Sequence, residues 1–117
     1  MTTRKVTILG EVWEMIEGTE AEFPGLKDCD GYTDSSIRRM VIDDMTKAAG
    51  DTTAKADMEA YKQQVMRHEC VHAFLEESGL SSSSAGAAHW AENEEMVDWI
   101  AIQAPKICKA FVDLGIM

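Results

Sequence analysis

His68, Glu69 and His72 give the chain the spacing H-E-x-x-H. On an α-helix, residues four apart lie about one turn apart on the same face. His68 and His72 can therefore offer two imidazole nitrogens to one divalent ion. Glu69, beside the first of them, can reach a water held on that ion. The pattern is that of a hydrolytic zinc site with Glu69 as the general base.

Such a site needs a third protein ligand and one open position for water. The extended pattern H-E-x-x-H-x-x-G-x-x-H would supply it three residues after a glycine. Here Leu75 holds the glycine position and Ser78 the histidine position, so that route is closed. Downstream, Asn93-Glu94-Glu95-Met96-Val97-Asp98 offers carboxylates. Glu94 and Asp98 are four apart and share a helix face. Glu94 can complete a His68, His72, Glu94 ligand set, with Asp98 accepting the free N–H of a liganding histidine and fixing its tautomer. Glu95 is the alternative ligand, less favoured because it shares its face with Trp99 and Ile102. Two neutral imidazoles and one carboxylate leave zinc a net charge of +1, enough to acidify a bound water. His89 is the remaining histidine and is a candidate oxyanion donor. Tyr61, two turns before His68, receives no role. Cys70 points away from the histidines and reads as a packed thiol.

The elements that must position these groups can be read along the chain. Residues 5–9 form a strand, and 12–17 its hairpin partner, with Val12, Glu14 and Ile16 on one face and Trp13, Met15 and Glu17 on the other. Residues 18–36 read as a loop. Its acids Asp28, Asp30 and Asp34 fail the calcium-loop spacing and make an acidic turn instead. A third strand covers 37–43 and is the candidate sheet edge, on which a substrate could add as a strand. The H-E-x-x-H helix spans 53–79, with Gly79 stopping it. Residues 80–89, rich in Ser, Ala and Gly, read as a flexible loop. A glutamate-bearing helix spans 90–115 and breaks near Pro105. The methionines and Trp13, Trp90 and Trp99 read as core. The fold expected is α+β: a small antiparallel sheet of about three strands, formed by residues 1–43, packed on the H-E-x-x-H helix, with the second helix delivering Glu94.

The 117 residues, 45% of them hydrophobic, fit one domain burying roughly two-thirds of its unfolded surface. The net charge of −10 and scattered basic residues argue against nucleic acid as a partner. No apolar stretch approaches the roughly 18 residues of a membrane span, and the N-terminus lacks a signal-peptide core. Cys29, Cys70 and Cys108 are odd in number and widely spaced, which suits reduced thiols and a cytoplasmic location.

H-E-x-x-H followed by N-E-x-x-x-D resembles the gluzincin class of zinc metallopeptidases, with thermolysin-like enzymes as the type. The resemblance rests on His68, Glu69, His72, Asn93, Glu94 and Asp98. It implies a zincin-like fold in minimal form, one zinc ion on His68, His72 and Glu94, Glu69 as catalytic base, Asp98 orienting a histidine, and a peptide or protein as substrate. Across most of its length the chain also resembles small metallopeptidase-like proteins of phages and prophages. That likeness takes in the hairpin start, 27–32, Arg67 to Phe74 and Asn93 to Ala101. The function expected is zinc-dependent peptide-bond hydrolysis. The alternative is a catalytically inactive zinc-binding domain, phage-encoded, used to bind a protein partner.

Overall fold

A computed structural model describes residues 1–83 and 89–117. Strands β1 (Thr2–Ile8) and β2 (Glu11–Gly18) form the expected hairpin, paired from Thr2 opposite Glu17 to Ile8 opposite Glu11. Leu9 and Gly10 make the turn with φ of 51° and 89°. Two positive φ values give the reversed twist that a two-residue hairpin turn requires. Leu9 is thereby withdrawn from the strand expected over 5–9.

The stretch 18–36, expected as loop, contains β3 (Gly31–Asp34), a four-residue strand too short to show a period. β4 (Arg39–Asp43) is the strand anticipated at 37–43. It starts later because Ser35–Ile37 form a 3-10 turn and Arg38 is left-handed at φ 50°. The sheet therefore has four strands in the order β1-β2-β4-β3, and it is mixed: β2 and β4 run parallel, the other pairs antiparallel. The α+β class is as expected, but the small antiparallel sheet of about three strands is corrected to a mixed sheet of four. It also moves the edge. β4 is interior, with Met40, Val41 and Ile42 fully buried on both faces, and the edge strands are β1 and, on the far side of β4, β3.

Helix α1 (Met58–Glu77) packs on one face of this sheet through Val65, Glu69 and Ala73, spaced by one turn each. It begins later than residue 53 because Asp57 is its cap, accepting a hydrogen bond of 2.9 Å from the Ala60 amide. Ala73 meets Ile8, Trp13 and Met40, and Val65 meets Ile42 and Met45. Met15 contributes to both clusters, and Cys70 packs on the first, as its small apolar thiol suggested. Glu77 closes the end of α1 onto the sheet, accepting from Trp13 Nε1 at 2.9 Å and from Arg38 Nε at 2.6 Å. Leu26, in the 3-10 turn Pro24–Leu26 beside β3 and β4, is also fully buried.

Leu80–Ser83 form a single helical turn, α2, where a flexible loop was expected over 80–89; residues 84–88 lie outside the described residues. Helix α3 runs from Glu94 to Asp113, after a short 3-10 turn at Trp90–Glu92. Pro105 lies inside it, so the helix is continuous where a break was expected. An interior proline costs about 3 kcal/mol through its missing N–H and its clash with the preceding turn. Val97 and Ala101 seat α3 against the body, whereas Trp90 and Trp99 are exposed and do not join the core. The tryptophan that does is Trp13. Among the described residues no helix is long and apolar enough to cross a membrane.

Trp13 is buried to the last per cent and hydrogen-bonded at its ring nitrogen. Trp13→Ala should therefore lower the unfolding free energy by about 3–5 kcal/mol, read as a shift of the urea midpoint.

Candidate metal centre

The two faces of α1 divide the labour around the H-E-x-x-H sequence. Val65, Glu69 and Ala73 point at the sheet. His68 and His72, about 100° around the helix from Glu69 and Ala73, point into a cavity of about 750 Å³ between α1, β3 and α3. The imidazoles stack edge to face with centroids 5.0 Å apart.

Asn93 is the cap of α3, its side chain accepting from the Met96 amide at 2.8 Å, so Glu94 is the first residue of the helix. From there Glu94 straddles the histidine pair. Its Oε2 is 2.7 Å from His68 Nε2 and its Oε1 is 2.9 Å from His72 Nε2. Candidate ligand atoms of His68, His72 and Glu94 all lie within 4.8 Å of one another. Two imidazoles and a carboxylate at this separation could hold a metal ion. Ligands on a tetrahedral zinc sit about 3.3 Å apart, given bonds of 2.0–2.1 Å. The contacts to Glu94 would open by a few tenths of an ångström, and its side chain, 68% exposed, has room to do so. Asp98, one turn on, places Oδ1 3.3 Å from His68 Nδ1. With Nδ1–H donating to Asp98, His68 presents the Nε2 lone pair toward the cavity.

Glu69 sits at the cavity floor, 5% exposed. The Thr33 hydroxyl, from edge strand β3, lies 3.0 Å from Glu69 Oε1 and 3.2 Å from its main-chain oxygen. Burial pushes the Glu69 carboxyl above the usual range, and the Thr33 hydrogen bond and the histidines pull it back. Gly31 permits this close approach. A Cβ there would stand 3.0 Å from Val65 Cγ1 and 3.1 Å from Glu69 Cγ.

Beyond the histidines the cavity wall carries Tyr61, whose hydroxyl donates to Asp30. Burial and the Asp30 carboxylate push the Tyr61 hydroxyl up to about 12. Lys47 holds Asp30 in turn at 3.1 Å and the buried Asp43 at 3.2 Å. Thr33, Gly31 and Asp30 all come from the stretch read as loop, where no periodicity marked them. Tyr61 was visible as a residue seven before His68, on the same helical face.

Two sequence candidates are placed elsewhere. His89 is left-handed at φ 56°, its side chain 63% exposed and 3.4 Å from Glu92, and it does not line the cavity. Glu95, one residue around α3 from Glu94, is exposed and does not line the cavity either.

The chain matches no protein-family model, and comparison with curated proteins and with solved structures gave no match.

The cluster makes a separable forecast for the two neighbouring glutamates. Glu94→Ala should weaken Zn2+ affinity by at least about 100-fold in a chelator competition, while Glu95→Ala leaves it within about twofold. The reverse order would hand the third position to Glu95.

Proposed function

We propose that the chain is a zinc-dependent metallopeptidase of gluzincin type. One observation carries the reading: three ligand-type side chains from two helices converge beside a buried carboxylate that is held against an edge strand. His68, His72 and Glu94 are the zinc ligands, and the two-imidazole, one-carboxylate set suits that ion. Zinc held there would supply Lewis acidity, polarising the scissile carbonyl and lowering the pKa of water.

The chain's own residues do the rest. Glu69 takes a proton from the attacking water at its carboxylate and returns it to the leaving amine. Thr33 fixes the rotamer from which it does so. Asp98 orients His68. The substrate is a peptide or flexible protein segment laid along β3, whose residues Gly31, Tyr32 and Thr33 line the cavity. Strand addition would pair its backbone with the outer edge of β3. A second reading, a zinc-bound domain without turnover that binds a protein partner, is favoured by the exposed apolar run Phe111, Val112, Leu114 and Ile116.

The test is hydrolysis of a fluorescently labelled unfolded polypeptide by zinc-loaded protein. Glu69→Gln should lose at least about 100-fold in turnover while retaining zinc. Undiminished cleavage by that variant would remove Glu69 as base. Zinc binding with no cleavage by the wild type would favour the partner-binding reading.

A further inference from the structure

Pro105 has no N–H, so the carbonyl of Ala101, four residues earlier, loses the donor that an uninterrupted helix would give it. Ala101 is fully buried, where an unmet carbonyl would be costly. The structure shows what meets it: Arg67 Nε on α1 donates to Ala101 O at 2.6 Å. Arg67 immediately precedes His68, and Ala101 lies seven residues, about two turns, after Glu94. This bond therefore ties the helix carrying both histidines to the helix carrying the third carboxylate.

We propose that Pro105 and Arg67 act together as a positioning clamp for the metal centre. The proline frees a carbonyl, and the arginine uses it to set the depth and rotation of α3 against α1, and so the reach of Glu94 to the histidine pair. The packing of Val97 and Ala101 alone allows α3 to slide, since small apolar contacts have no direction. A charge-assisted hydrogen bond to one carbonyl has a fixed length and angle. Arg67 and Pro105 touch no ligand atom and have no part in proton transfer. The clamp rests on the assignment of His68, His72 and Glu94 as zinc ligands.

The measurement is Zn2+ affinity by chelator competition, with the melting temperature of the metal-free protein recorded alongside. Arg67→Met keeps the apolar stem and should weaken zinc binding about tenfold. Pro105→Ala returns an N–H to Ala101 O. It should raise the metal-free melting temperature and yet lower zinc affinity severalfold, opposite signs that a purely structural role would not give. In the Pro105→Ala background, Arg67→Met should cost less than about threefold, because the carbonyl no longer depends on it. Should Arg67→Met fail to fold, the opposed signs in Pro105→Ala decide the matter alone. Equal zinc losses from Arg67→Met with and without Pro105 overturn the clamp, as does unchanged zinc affinity in Pro105→Ala. A wild type that binds no zinc overturns the ligand assignment beneath it. A wild type that binds zinc, with unaffected variants, overturns the clamp and leaves that assignment standing.

Discussion

Glu94 reaches both histidines because α3 lies against α1, with Val97 and Ala101 buried and Arg67 of α1 bonded to the Ala101 carbonyl at 2.6 Å. Each component is ordinary by itself. A helix with two histidines one turn apart is a weak ligand pair, and a glutamate at a helix start is favoured there by the helix dipole whatever it faces. The contact between the helices turns three separate side chains into one cluster. Asn93 matters for the same reason, since capping at that residue sets where α3 begins and hence where Glu94 stands.

A second constraint acts from the sheet. Glu69 is a buried carboxylate, and burial of such a group without partners is costly. The Thr33 hydroxyl meets it, and Gly31 keeps the space open. Both residues lie on β3, so the same edge strand that lines the cavity also holds the Glu69 carboxylate. The parallel pairing of β2 with β4 is what leaves β3 outermost, next to the cavity.

The helical part of this arrangement was legible in the sequence. Spacing placed His68 and His72 on one face of one helix and Glu94 and Asp98 on one face of another, because a helix has a fixed period; the meeting of those two faces is a tertiary fact. Residues 31–34 were not legible, since a four-residue strand between turns has no period to read, and its partner β4 is chosen by tertiary packing. The edge was misassigned for the same reason: the apolar run of β4 reads equally well as an edge or an interior strand until its neighbours are known. Trp90 and Trp99 were read as core from residue type, whereas α3 offers only a narrow buried stripe. Pro105 was read as a break because a proline's missing N–H is visible in sequence and the arginine that answers it, 38 positions upstream, is not.

The proposed centre is a single zinc ion held by two imidazoles and one carboxylate. Elemental mass spectrometry on untagged protein, purified without chelator and dialysed after zinc addition, tests it most directly. About one zinc per chain is expected, lost when His68 and His72 are both replaced by alanine. Zinc absent from the wild type, or retained in full by that double variant, would contradict it.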